Sequence, residues 1–289
     1  MRTIAIIISL LFIAASGYCQ HTPVSFYVVA EQDQWQLFMG TNAWNDIATT
    51  GPGSKRVVLI YVTAGDESCN GTLNVPFYHA RQEGANLSAE FCADENLPHD
   101  PWHDTTVTVD GHIIHKYVYR NVTSYCMRLP GGCSGGGLHG ESLKYLHNGT
   151  VSSITPVDST AAYNSWNNLT KALHDIVVKE VPDTNAITFH TADTSMAFNP
   201  GDRPDHYYTA HLLIDAIRNF DNYTINLYRE YSIATLPHNL NPQEIANKAA
   251  LLSQLDFGRT SNGQPSEWTP AAIEFTSRNY FRTFIKHLH

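Results

Sequence analysis

Two stretches of this chain, Val24–Ala30 (VSFYVVA) and Arg56–Thr63 (RVVLIYVT), are apolar almost without interruption, and each gives way to a polar loop and then to a helical period. A strand that alternates polar and apolar residues buries one face. One that does not alternate must be covered on both, as a central strand of a parallel sheet is. The helical periods that follow, at Trp35-Gln36-Leu37-Phe38-Met39 and from Val75 to Phe91, supply the crossovers such a sheet requires. The pattern predicts an α/β protein with a mainly parallel sheet and right-handed crossovers.

Further along, Thr105–Tyr119 alternates around Asp110-Gly111, a hairpin signal, and Ser124–Pro130 reads as extended before the glycine-rich rim loop from Gly131 to Gly137. A short helix is expected from Glu141 to Leu146 and an extended piece over Ser152–Asp158. The clearest amphipathic helix runs from Ala161 to Glu180, with Trp166, Leu169, Leu173 and Val177 at helical spacing. Then come a strand at Ala186–His190, a helix from Asp205 to Phe220, a strand at Tyr223–Ile233, and helices from Pro242 to Phe257 and from Pro270 to Leu288. Without internal repeats or long linkers, residues 21–289 read as one domain.

A net charge of −9 argues against a nucleic-acid partner, whose binding depends on neutralised phosphates. Residues 1–20 have the pattern of a secretory signal peptide, with Arg2 ahead of an apolar run from Ile4 to Ala15 and small residues at Ala15-Ser16-Gly17 or Gly17-Tyr18-Cys19. That run is short for a membrane span, so no integral span is expected after its removal, and bulky Tyr18 ahead of Cys19 favours release over lipid attachment. The expected location is secreted or periplasmic. Cys69, Cys92, Cys126 and Cys133 would then remain, an even set suited to disulfides in an oxidising compartment. Loop proximity favours Cys126 with Cys133 and Cys69 with Cys92, although the sequence leaves the connectivity open. Asn-x-Ser/Thr sequons begin at Asn70, Asn86, Asn121, Asn148, Asn168 and Asn222, as expected of surface loops in an exported protein.

Chemistry concentrates in two polar knots that each follow a predicted strand. The first is Glu31, Asp33 and Gln34; the second is Gly201-Asp202-Arg203-Pro204-Asp205-His206. Each has an ordinary explanation, with Asp33 as a helix cap and Pro204-Asp205 as a helix first turn. Together they would face one crevice at the carboxyl ends of the strands, where open α/β sheets bind ligands. His190 ends a predicted strand and could face the same crevice, although a histidine satisfied in the core is the more ordinary reading. Trp35, Tyr207 and Tyr208 suit stacking on a sugar ring, though at helical positions such residues are more often core. A Ser-His-Asp hydrolase lacks support, since no Gly-x-Ser-x-Gly elbow occurs.

The order of these segments, with Tyr78-His79-Ala80-Arg81-Gln82-Glu83, Tyr125–Gly132 (YCMRLPGG) and Glu141-Ser142-Leu143 between the knots, resembles the LmbE-like (PIG-L) de-N-acetylases. That resemblance implies a Rossmann-like three-layer α/β fold and zinc-dependent hydrolysis of the N-acetyl group of N-acetylglucosamine-type substrates. The family writes Ala-His-Pro-Asp-Asp on the first loop, where the His and second Asp hold the metal and the first Asp is the base. Here those places read Ala30-Glu31-Gln32-Asp33-Gln34, which keeps Asp33 as base and puts Glu31 and Gln34 at ligand positions. The second loop, His-x-Asp-His in the family, reads Arg203-Pro204-Asp205-His206. His206 is then the third ligand, Asp205 the residue that orients it, and Arg203 the oxyanion-stabilising replacement. Arg81 falls where relatives often carry an arginine near the substrate, beside the ordinary reading of a solvated helix face, and Arg128 would bind substrate or hold the rim, although the Asp that often follows the Pro in relatives is Gly131 here.

Gln34 is a weak, uncharged oxygen donor, so zinc affinity should fall, and with it the acidification of bound water on which metal-assisted hydrolysis depends. A guanidinium at Arg203 could instead approach Glu31 and fill the electrostatic space of the metal. Two expectations follow. One is an exported protein that binds an N-acetylated sugar or glycoconjugate with weak or absent deacetylase activity. The other is an active metal-dependent de-N-acetylase using Asp33 as base and Arg203 at the oxyanion.

Overall fold

The computed structural model describes residues 22–49, 54–66, 73–94, 98, 100–132, 136–181 and 186–287. The signal-peptide expectation, Cys69, Cys133 and the sequon at Asn70 lie outside these residues.

In chain order the elements are β1 (Val24–Val29), α1 (Gln34–Phe38), α2 (Gly40–Ile47), β2 (Arg56–Thr63), α3 (Val75–Ala93), β3 (His103–Val109), β4 (His112–Tyr119), β5 (Val122–Leu129), α4 (Leu143–His147), α5 (Trp166–Glu180), β6 (Ile187–Ala192), α6 (Pro204–Ala216), β7 (Tyr223–Arg229), α7 (Pro242–Ser261), α8 (Pro270–Phe275) and β8 (Tyr280–Lys286). The described strands form one sheet in the order β3-β4-β5-β2-β1-β6-β7-β8. Its centre, β5-β2-β1-β6-β7, is parallel, while β3, β4 and β8 add antiparallel pairs at the edges.

Both faces of the sheet are covered, as the apolar strands require. On β1, Phe26 and Val28 face α5 and α6, while Tyr27 and Val29 face the side of α1, α2, α3 and α7; Ile60 and Tyr61 divide in the same way on β2. The result is three layers, helix on sheet on helix. On the second side α3 and α7 cross closely enough that Gly84 and Gly258 meet backbone to backbone, and a Cβ on either would collide with the other helix. Lys248 of α7 is buried there, its ammonium donating to the carbonyls of Leu37 (2.8 Å), Phe275 (2.8 Å) and Arg278 (2.5 Å). It thereby adds a donor to carbonyls at and just beyond the carboxyl ends of α1 and α8.

Several expected elements change. The helix predicted from Pro270 to Leu288 is only α8, capped by the Thr269 hydroxyl; Tyr280–Lys286 is instead an edge strand paired antiparallel with β7. Its aromatics mimic a helical stripe, but the segment is rich in aromatic and β-branched residues that suit a half-exposed strand. The helix expected from Ala161 begins at Trp166, where the Ser165 hydroxyl accepts from the Asn168 N–H. Tyr163 and Ile154 are held in an isolated bridge, all that remains of the extended piece over 152–158. The strand at Tyr223–Ile233 stops at Arg229, because Glu230 leaves the β region and starts a 3-10 turn at Tyr231–Thr235.

The disulfide expectation is not met at Cys126, which keeps a free thiol in the core, pushed up to about 12 by burial. Cys92 is also buried, its Sγ 3.6 Å from the Trp44 carbonyl. Three sequons are not on open loops, the one at Asn168 lying in the first turn of α5. Asn86 lies within α3, and the Asn121 amide donates to the carbonyls of Ile47 and Lys55. Among the described residues no helix is long and apolar enough to cross a membrane.

Candidate functional site

The five parallel strands end at one edge of the sheet, and the residues that follow them carry its chemistry: Glu31 to Gln34 after β1, Asp66 after β2, Gly131 and Gly132 after β5, the loop of residues 193–203 after β6, and Glu230 after β7. From β1 the chain passes to β2 on one side and later returns as β6 on the other, so a crevice opens between the two exits. The two polar knots flank it. Arg203, at the cap of α6, meets Glu31 from the β1 loop, Nη1 to Oε2, at 3.1 Å.

Glu31 is held from both sides. The Arg81 guanidinium reaches up from α3 and donates through Nη2 to Glu31 Oε2 (3.0 Å) and to Asp33 Oδ1 (2.5 Å), and through Nη1 to the Gly65 carbonyl (3.0 Å). Burial alone would raise the Glu31 carboxyl, yet Arg81 and then Arg203 outweigh it and hold the group at about 2. Asp33 occupies the cap position of α1 but makes no capping bond; its carboxylate belongs to Arg81. Gly65 has φ of +58°, and a Cβ there would strike Arg81, so the turn after β2 is shaped around this guanidinium.

Gln34 turns its amide oxygen back to the N–H groups of Ala30 (2.7 Å) and Glu31 (3.4 Å), and its Nε2 donates to Glu230 Oε1 at 2.6 Å. The other Glu230 oxygen lies 2.5 Å from His206 Nδ1, and Asp202 Oδ1 lies 3.0 Å from the same nitrogen. Burial would lower the imidazole, but Glu230 and Asp202 overcome it and hold His206 well above its ordinary value. His206 is therefore held as the imidazolium, with Nδ1–H donating to Glu230 and a second proton on Nε2. His206 Nε2 is buried and has no hydrogen-bond partner among the described residues. The ring stacks on Tyr231 (5.6 Å, 17°), which also lies under the Arg203 guanidinium at 5.1 Å.

This donor set does not fit a catalytic zinc at the three expected positions. Glu31 is committed to two guanidiniums, Gln34 has spent its only ligand oxygen on backbone N–H groups, and His206 alone is left with an unengaged ring nitrogen. The charges of Arg81 and Arg203 already balance Glu31 and Asp33, so a divalent cation at Glu31 would meet two guanidiniums in place of a free carboxylate. The described acidic and histidine side chains with donor atoms within 4.8 Å of one another are Asp202, His206 and Glu230, and there the imidazole N–H fills the space between the carboxylates.

Asp205 does not orient His206; Glu230 and Asp202 do. Asp205 Oδ2 accepts instead from the Gly132 N–H (2.7 Å), as Asp66 Oδ1 does from Gly131 (2.7 Å), so two buried carboxylates tie down the start of the glycine loop. Burial, then the charge of Glu31, pushes the Asp205 carboxyl up to about 7. Arg81 and Arg128, expected at the substrate, are both buried. Arg128 sits at a bulge of β5 with φ of +55° and donates to Gln82 Oε1 (3.2 and 3.1 Å) and Asp158 (3.2 Å), bracing the rim. Asp202, Glu230 and Tyr231 have no role predictable from the motifs. A signal for Glu230 exists all the same: it follows an apolar strand just as Glu31 does.

His190 does not face the crevice. It lies in the core against Tyr27 (4.1 Å, stacked), with Nδ1 2.8 Å from the Tyr228 hydroxyl and Nε2 3.7 Å from Asp46, and burial lowers it to about 3. Between its ordinary value of about 6.5 and about 3, the unfolded chain takes up a proton that the folded chain refuses. Stability should therefore fall as pH drops through that window, by up to about 4 kcal/mol. Thermal melts between pH 7 and 3.5 should show a steeper acid loss in the wild type than in His190→Gln; equal slopes would remove His190 as the cause.

No family profile and no curated protein matches the sequence. Among solved structures the chain is similar to the N,N'-diacetylchitobiose deacetylase from Pyrococcus horikoshii complexed with its inhibitor MPG, at a TM-score of 0.49 and 13% identity, over 91% of this chain and 84% of that one. At that distance the chemistry of the site is read from its own residues.

Proposed function

We propose that this chain is a sugar-binding relative of the LmbE-like de-N-acetylases, a single Rossmann-like domain over residues 21–289 whose strand-end crevice takes an N-acetylated sugar or glycoconjugate without zinc and with weak or absent hydrolysis. The order of the motifs along the sequence supports the ligand class. The observation that carries the loss of metal chemistry is Glu31 clasped by Arg81 and Arg203. Asp33 in its present geometry is bound to Arg81 and is not poised to take a proton from water. Arg203 remains 46% exposed and engages Glu31 through Nη1, which leaves Nε and Nη2 to donate to an acyl or hydroxyl oxygen of a ligand. The apolar run after Arg2 supports export to a secreted or periplasmic location.

The test combines a metal count by mass spectrometry on the protein as purified with titration by N-acetylglucosamine and an acetate-release assay. The expected result is substoichiometric zinc, saturable sugar binding indifferent to chelator, and acetate release at background. Stoichiometric zinc with chelator-sensitive acetate release, lost in Asp33→Ala, would establish the active enzyme instead, with Asp33 as base and Arg203 at the oxyanion. Absence of sugar binding would remove the ligand class.

A further inference from the structure

Beside the crevice, on the far side of Asp202, lies a hollow of about 230 Å³ walled by Lys144, Met196, Asp202, Pro204, Tyr207 and Tyr208. We propose that it is a second sugar subsite, which seats the neighbouring residue of a ligand whose N-acetylated unit lies at Arg203; it rests on the reading of the crevice as a sugar site. Continuity supports this. Asp202 stands between the two spaces, since its buried Oδ1 is 3.0 Å from His206 Nδ1 while the residue also borders the hollow, and Pro204 directly follows Arg203.

The walls match the two-sided character of a pyranose, which offers C–H faces and a rim of hydroxyls. Tyr207 and Tyr208 stand nearly perpendicular (5.6 Å, 83°) and form a corner, and His211 packs edge-on against Tyr207 at 4.5 Å from behind. Pro204 and Met196, the latter 68% exposed, add apolar surface. Unlike Trp35, which is buried with its N–H on the Tyr61 hydroxyl, these tyrosines are half-buried. Neither their hydroxyls nor Lys144 Nζ makes a hydrogen bond or ion pair with the described residues, so donors stand ready at the rim of an apolar pocket.

The experiment is calorimetric or NMR titration of the full-length mature chain with N-acetylglucosamine and with its β-1,4-linked dimer. The wild type should bind the dimer about tenfold more tightly. Tyr207→Ala with Tyr208→Ala should abolish that preference and leave affinity for the monomer unchanged. Because those tyrosines help pack α6, the pair Lys144→Ala with Met196→Ala, which lies outside that helix, serves as a second variant and should lower the preference for the dimer several-fold. Equal affinity of the wild type for both sugars, or a preference that survives in both folded variants, would overturn the subsite while leaving the crevice intact. Binding of neither sugar would overturn the crevice as a sugar site, and the subsite with it.

Discussion

Arg81→Met should destabilise the fold by about 3–5 kcal/mol, the range for removing one partner from a buried ion pair. The side chain is 2% exposed, and Glu31 and Asp33 are 7% and 8% exposed, so neither carboxylate can turn to water when the guanidinium is gone. Glu31 would keep Arg203, whose side chain is 46% exposed and screened accordingly, while Asp33 would lose its cation outright. The Gly65 carbonyl would lose its donor as well. If stranded charge is the cause, adding Glu31→Gln and Asp33→Asn to Arg81→Met should recover most of the loss, because neutral amides are far cheaper to bury than carboxylates. Urea midpoints of the wild type, the single variant and the triple variant measure this. A loss below about 1 kcal/mol for Arg81→Met, under the buried-pair range, or no recovery in the triple variant, would mean that the clasp is not the structural centre of the site.

Arg81 also marks the limit of what sequence can reveal. The central strands were legible because burial on both faces leaves a continuous apolar run, and the hairpin of β3 and β4 because Asp110-Gly111 supplies the positive φ its turn needs. The crevice was legible from two polar loops, each after such a strand. An arginine on a helix, by contrast, gives no local sign that its guanidinium is buried, since that depends on the carboxylates opposite and on a glycine in the facing turn. Glu230 was hidden because Tyr231 and Ile233 bring apolar residues back after Arg229-Glu230, which extended the predicted strand to Ile233 and placed this residue inside it although the strand ends at Arg229. At the carboxyl terminus the aromatics of β8 could satisfy either period, and only the open edge of β7 decides between them.

Exchanging Glu31→His, Gln34→Asp and Arg203→His together should turn a chain expected to purify with little zinc into one that binds it stoichiometrically. His206 would take the form of a ligand histidine on giving up its Nε2 proton to an incoming metal, because a carboxylate fixes its Nδ1 while its Nε2 has no partner among the described residues. What is wrong in the native chain is the charge around it. The exchange removes the Arg203 guanidinium, replaces the carboxylate that Arg81 and Arg203 clasp, and converts the amide facing Glu230 into an anion. Arg81 keeps Asp33 in either case. Without metal the variant should melt below the wild type, because a new carboxylate at position 34 would face Glu230 with no cation between them. Zinc should then raise its melting temperature, since binding to the folded state alone is a stabilising free energy. Arg203→His by itself should bind no zinc, because Gln34 still spends its oxygen on Ala30. Metal content after dialysis, read beside the zinc-dependent shift in melting temperature, distinguishes the cases. A triple variant that stays metal-free, or a wild type that binds zinc as tightly, would show that charge replacement at Glu31 is not what sets metal affinity in this fold.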